Sequence, residues 1–242
     1  MKKISDNSLF YIMLSLGTII FSSIIFAAYG KITKNVFNSQ KEKIYTVIID
    51  PGHGGEDGGA VGVDGIYEKN INLAISKKLR SLLETSGYKV IMTRDEDKAT
   101  YDSDAGTLRQ KKKSDLRNRL ELIKENTNDN TIFVSIHQNK FTDSQYFGSQ
   151  IFYSKNNPLS QELASYIKNA ITGLIQPNNT REIKPSDKTI FLLHNAQIPA
   201  VIVECGFLSN VEEAHKLLDE NYQNQVSFCV FCGIINYFMN LL

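Results

Sequence analysis

Two histidines and a set of carboxylates carry the chemistry this chain offers. His53 stands in Asp50-Pro51-Gly52-His53-Gly54-Gly55, His137 follows the apolar run 131–136, and Glu204 follows the apolar run 200–203. Glu56, Asp57, Asp64 and Glu68 come soon after the first histidine. Two imidazoles and one carboxylate suit a catalytic zinc ion, which takes three protein ligands and keeps a fourth position for water. Zinc lowers the pKa of such a water to about 7 and polarises a neighbouring carbonyl. A further, unligated carboxylate is then wanted to move a proton from the water to a departing amine, and Glu204 suits that task. Local pattern leaves the ligating carboxylate open. Glu68 stands at the mouth of a helix, Glu56 and Asp57 lie in a glycine-rich loop, and Asp64 lies between. A glycine-rich turn after a strand also cradles phosphate, but neither a Walker-type lysine nor a G-x-G-x-x-G spacing accompanies this one.

These residues need a scaffold that brings strand ends together. Short β-branched runs predict strands over 44–50, 89–93, 131–136, 150–153, 190–193 and 200–203. Ile71, Ile75, Leu79 and Leu83 recur at helical spacing from about Lys69 until Gly87, and further helices are expected over 115–125, 158–174 and 222–242. Strands alternating with helices in this way predict an α/β fold: a single domain with a twisted, mostly parallel sheet and helices on both faces. Ligands of open sheets gather beyond the carboxyl ends of the strands. His53, His137 and Glu204 all fall there.

A chain of 242 residues with 42% hydrophobic content accommodates one ordinary domain and a short appendage. Net charge is +1, so no global field favours nucleic acid, and no nucleic-acid partner is expected. Residues 9–29 carry no charged side chain and are long enough to cross a bilayer, which takes about 20 residues. We therefore expect an N-terminal transmembrane anchor within 1–30, preferred over a signal peptide cleaved near Ala28-Tyr29-Gly30. A lysine-rich linker over 31–43 and a catalytic domain over 44–242 follow. Lysines flank both ends of the apolar segment, so the positive-inside rule does not orient it. Cys205, Cys229 and Cys232 are odd in number and make no disulfide framework. The last two sit in an apolar helical run, where core packing is the expected role.

Several blocks then occur in a telling order: Val47-Ile-Ile-Asp-Pro-Gly-His-Gly-Gly-Glu-Asp-Gly-Gly-Ala60, Gly65-Ile-Tyr-Glu-Lys69, Met92-Thr-Arg94, Ser135-Ile-His137 with Asn139, and Val203-Glu-Cys-Gly-Phe-Leu-Ser-Asn210. Together they resemble the zinc-dependent N-acetylmuramoyl-L-alanine amidases, most of all the germination-specific, spore-cortex members found in endospore formers. The resemblance implies that His53, Glu68 and His137 hold one Zn2+ per chain and that Glu204 is the catalytic carboxylate. It also implies cleavage of the amide between N-acetylmuramic acid and L-alanine in peptidoglycan, as a step towards muramic-δ-lactam in the cortex. The partner implied is glycan carrying stem peptides, and the location is extracytoplasmic, on the cortex side of the forespore membranes, with residues 9–29 in the membrane.

Gln138 and Lys140 depart from the small residues usual beside the asparagine in this family. They suggest weaker zinc binding and an activating partner protein that stabilises the site. Arg94 and Arg119 match family arginines, with a structural salt bridge as the preferred role and substrate carboxylate binding as the alternative. Asn139 and His194 are further substrate-binding candidates, whereas His215 lies in a polar helical stretch. The competing functional readings are a zinc- and wall-binding scaffold without turnover and a zinc exopeptidase of related fold.

Overall fold

The β-branched run that opens the region 44–242 forms β1 (Thr46–Pro51), buried along its whole length. A 3-10 turn at Val63–Gly65 leads into α1 (Glu68–Thr85), followed by β2 (Lys89–Met92), α2 (Leu108–Glu125) and β3 (Thr131–Asn139). Next come β4 (Gln150–Tyr153), α3 (Leu159–Leu174), β5 (Lys184–Pro185), α4 (Phe191–Asn195), β6 (Ala200–Phe207), α5 (Val211–Leu218) and α6 (Glu220–Asn240). The computed structural model describes residues 18, 21–23, 25–26 and 44–241. The chain divides into two units, Met1–Lys43 and Ile44–Leu242. Most of the segment expected to span a membrane, and all of the linker over 31–43, lie outside the described residues. Among the described residues no helix is long and apolar enough to cross a membrane.

The strands form one six-stranded sheet in the order β2-β1-β3-β6-β4-β5. The β2, β1, β3 and β6 strands run parallel, and β4 pairs antiparallel with β6 while running parallel to β5. The sheet is thus mixed, with the parallel portion carrying the ends that matter. Alternate side chains feed two cores, as the period-2 geometry of a strand requires. Val47, Ile49, Val134 and Val203 pack with Ile75, Leu79, Ile167 and Val230 of α1, α3 and α6 on one face. Ile48, Phe133 and Ile202 pack with Leu120 and Ile123 of α2 and Leu192 of α4 on the other. Cys229 is buried in the first core, as expected of a packing residue, and the three cysteines are free.

Four elements differ from their sequence-based expectation. The run 190–193, expected as a strand, belongs instead to the short helix α4 and its entrance, where the amide of His194 donates to the carbonyl of Ile190. A four-residue apolar run has no period of its own to settle the matter. The α2 helix begins seven residues before the expected 115, at a capping box in which Thr107 and Gln110 bond each other's backbone. Its first turns are lysine-rich and solvated, so no apolar stripe announces them. The β3 and β6 strands run beyond their apolar cores to Asn139 and Phe207, which places His137 and Glu204 inside paired strands. Two small elements, α5 and β5, lay outside the sequence-based expectations.

Candidate metal centre and its flanking grooves

His53 is held by an unusual stretch of backbone. It adopts φ 62, a left-handed conformation that is costly for a residue with a side chain and that persists only when its surroundings impose it. Two buried arginines impose it. Arg119 donates to the carbonyls of Pro51 (2.9 Å) and His53 (2.7 Å), and pairs with Asp50 at 2.6 Å and Asp115 at 2.7 Å. Arg94 donates to the carbonyls of Pro51, Gly52, Lys69 and Glu96 at 2.9 to 3.0 Å. Asp50 also accepts from Thr93 and Ser135, each at 2.6 Å. Burial alone would raise the Asp50 carboxyl, but Arg119 and these two hydroxyls hold it down at about 2.

The candidate ligand set converges on this loop. Glu68 is the first residue of α1, buried, where the partial positive charge of a helix N-terminus favours a carboxylate. Its Oε1 lies 2.9 Å from His137 Nδ1 and accepts from the backbone amide of Gln138 and the side-chain amide of Asn72. Its Oε2 lies 3.2 Å from His53 Nε2 and accepts from the amide of Ala60. The ligand atoms of His53, Glu68 and His137 all lie within 4.8 Å of one another. Close approach depends on missing side chains: a Cβ on Gly52 would stand 2.2 Å from His137 Cε1, and one on Gly59 would stand 2.6 Å from Glu68 Oε2.

His53 Nδ1 contacts Asp57 Oδ2 at 2.8 Å, which leaves Nε2 free to face Glu68. Such a carboxylate behind a histidine fixes the ring and raises its basicity as a ligand. Burial would lower the His53 pKa, but hydrogen bonds to Asp57 and Glu68 outweigh it and lift the value to about 9. Burial likewise opposes ionisation of Glu68, yet contacts with His137 and His53 push its carboxyl far below the usual range. The pocket therefore favours positive charge between these groups. A divalent cation with nitrogen and oxygen ligands fits that demand by displacing a proton.

Glu204 faces the same cluster from β6, opposite His137 in the register of the sheet. Its Oε2 is buried and has no hydrogen-bond partner among the described residues. Burial raises its pKa to about 7, with the Glu68 charge adding to the rise and His137 and His53 opposing it. A carboxylate poised there exchanges protons readily at neutral pH.

The other candidates sort themselves by position. Arg94 and Arg119 are each 2% exposed, and their donors hold the His53 loop. The ion-pair role fits Arg119, whereas Arg94 bonds backbone carbonyls. Substrate carboxylate binding, the alternative for both, has little accessible guanidinium to work with. His194 is exposed on α4 and stands outside the three-residue cluster. Asn139 lines a groove beyond β3. Of the open carboxylates, Asp57 turns the histidine, Glu56 pairs with Lys111, and Asp64 contacts His215. Sequence reasoning missed Asp97, which accepts from the Gly55 amide and from Lys69 and so pins the glycine-rich loop. The spacing of His53 and Asp57 was a legible signal, but one shared with the competing ligand reading.

Open space lies on both sides of the cluster. One cavity, about 230 Å³, runs from His53 and His137 past Tyr101, Leu108, Lys111 and Leu116. A second, about 280 Å³, is lined by Asn139, Tyr146, Gln150, Arg181, Lys184 and Phe207, among others.

Comparison with known proteins agrees with this architecture. A family profile described as N-acetylmuramoyl-L-alanine amidase matches residues 47–236. The germination-specific N-acetylmuramoyl-L-alanine amidase of Bacillus subtilis is 35% identical over 192 residues, which cover 79% of each chain. The structure of the CwlD amidase from Clostridioides difficile, solved in complex with the GerS lipoprotein, is 43% identical with a TM-score of 0.78, covering 81% of this chain and 99% of that one. The amidase AmiC2 of Nostoc punctiforme is 28% identical with a TM-score of 0.68, covering 81% and 97%.

Proposed function

This chain belongs to the N-acetylmuramoyl-L-alanine amidase family, and on that footing we propose that it cleaves the amide between muramic acid and L-alanine using one zinc ion held by His53, Glu68 and His137. The observation that carries the reading is Glu204, a carboxylate raised to about 7 beside three convergent ligand groups to which it does not itself belong. Zinc in such a site supplies Lewis acidity and a more acidic water.

The chain's own residues do the rest. Ionised Glu204 takes a proton as water adds to the lactyl carbonyl carbon. It then returns that proton to the alanine nitrogen as the carbon–nitrogen bond breaks, leaving a lactyl carboxyl group and a free amine. Asp57 keeps the His53 ring turned towards Glu68, and Arg94 and Arg119 keep the loop beneath it in its strained form. A scaffold without turnover would have no use for a buried carboxylate raised in this way.

Similarity to the germination-specific amidase and to CwlD supports a place in spore-cortex remodelling, towards muramic-δ-lactam. It also supports action outside the cytoplasm, and the uncharged apolar run 9–29 supports a membrane tether. An accessory protein that steadies the metal site is part of the proposal. Its support is the CwlD complex with a lipoprotein and the position of Gln138, whose backbone amide bonds Glu68 and whose buried Oε1 has no partner among the described residues.

The test is mass spectrometry of purified muropeptides incubated with the chain, with and without a chelator. Release of peptides bearing a free L-alanine amine, stopped by the chelator and restored by zinc, is expected. Cleavage within the peptide, or undiminished cleavage without metal, would overturn the reading.

A further inference from the structure

The two cavities flank the His137–Glu204 pair along the sheet. One lies on the β1 side and the other on the β4–β5 side, so a substrate cut at the pair reaches into both. The peptidoglycan amide joins unlike partners, a glycan on the acyl side and an acidic peptide on the amine side. Charge distinguishes the grooves. In the β1-side cavity Lys111 is paired with Glu56 and Lys112 with Asp57, both at 2.8 Å, so those cations are already neutralised.

The other groove keeps its cations. Neither Arg181 nor Lys184 has an ion-pair partner among the described residues, whereas the adjacent Glu182 is taken by Lys168 at 3.0 Å. Glu213 senses the charge of Arg181 but forms no ion pair with it among the described residues, and its oxygens accept from the amides of Gly148 and Phe207. The Arg181 guanidinium lies 4.5 Å from the Phe207 ring centroid and 5.6 Å from that of Tyr146, and its Nε donates to the Phe147 carbonyl at 2.8 Å. That arrangement fixes a planar fork ready for a carboxylate. Gln150, 3% exposed, lines the same groove, and its Oε1 has no partner among the described residues. It is also the register partner of Glu204 across β4 and β6, so this groove starts beside the proton-moving carboxylate.

We propose that the groove between Asn139 and Lys184 is the subsite for the acidic stem peptide, with Arg181 and Lys184 receiving its carboxylates and the β1-side cavity left to the uncharged glycan. Two strand spacings separate β6 from β5, about 10 Å. About three residues of extended peptide cover that distance, which brings carboxylates on the two residues after the alanine within reach. The assignment rests on the amidase reading for the identity of the peptide.

The test uses the zinc-loaded chain, the variants Arg181→Gln and Lys184→Gln, and two probes: a free acidic stem tetrapeptide and the same peptide with its carboxylates amidated. Calorimetry should show the acidic peptide binding each variant at least ~10-fold more weakly than wild type, a loss equivalent to about 1.4 kcal/mol. The amidated peptide should bind all three proteins alike. On intact muropeptide the variants should raise KM with kcat within about twofold, the pattern of lost uniform binding. Lys184 is exposed on β5, so its variant guards against a folding artefact at Arg181. Equal binding of the acidic peptide by all proteins, equal losses with the amidated peptide, or no binding by wild type would each overturn the subsite. Charge-dependent peptide binding without any turnover of muropeptide would instead sink the amidase reading and leave the subsite standing.

Discussion

His137 and Glu204 are direct partners across the parallel strands β3 and β6, so the backbone ladder itself sets the spacing between the histidine proposed as a metal ligand and the carboxylate proposed to move protons. A side chain mounted on a paired strand wanders less than one on a loop. The proposed roles separate holding the metal from using it, and the first expectation follows from that.

Replacing Glu204 with Gln should lower kcat by about 10²- to 10⁴-fold, the range for general acid–base groups. Metal content should stay at that of wild type, read by elemental analysis of the dialysed protein. Loss of the metal together with activity would mean that Glu204 is a ligand.

The same variant should be more stable than wild type in the metal-free state at pH 8. Glu204 is raised from 4.5 to about 7 in the folded chain, so folding favours its protonated form. That contribution is fully present below about 4.5 and is lost as pH rises through about 7. One pKa unit corresponds to about 1.4 kcal/mol, so the gain from the substitution should be on the order of 3 kcal/mol at pH 8 and should vanish near pH 4.5. Urea unfolding with chelator at several pH values measures it; a gain that does not change with pH would contradict the burial argument.

Zinc binding should release a proton across the neutral range. His53 is held at about 9 by Asp57 and Glu68, and only the neutral imidazole ligates. Affinity should therefore climb with pH up to about 9. Titration calorimetry in buffers of different ionisation enthalpy counts the protons, and a count of zero at pH 7 would refute the expectation.

Removing the carboxylate behind the first histidine, by Asp57→Ala, should weaken zinc binding by about 10- to 100-fold, as is usual for such outer partners. Chelator competition reads the constant. An unchanged affinity would show that the backbone alone orients His53.

Gly52→Ala should remove both metal and activity while the chain still unfolds cooperatively. The added methyl would sit 2.2 Å from His137 Cε1, and the ring must leave its place to admit it. Full zinc content in this variant would show that the ring can move aside and still ligate.

Much of this architecture is legible in the order of residues along the chain. Apolar runs place β1, β3 and β6 within a few residues, because a strand buried on both faces must be apolar and β-branched whatever surrounds it. The chain ends of those runs point to His53, His137 and Glu204 for the same local reason. Periodicity fails where packing gives no stripe to read, as at the solvated start of α2, and where a run is too short to have a period, as at α4.

Residue types and their order along the chain determined that two histidines and several carboxylates stood at strand and loop ends as candidates for a metal, and to which family the blocks belong. Local pattern left Glu56, Asp57, Asp64 and Glu68 open and the family resemblance implied Glu68; the tertiary structure brings Glu68 to both histidines, meeting His137 at 2.9 Å from 69 residues away, whereas Asp57 reaches His53 alone. It also decided that Arg94 and Arg119 are spent on the loop and that Glu204 sits near neutrality. Such properties depend on how much water is excluded and which charges stand close by, and both are created only when distant segments pack together.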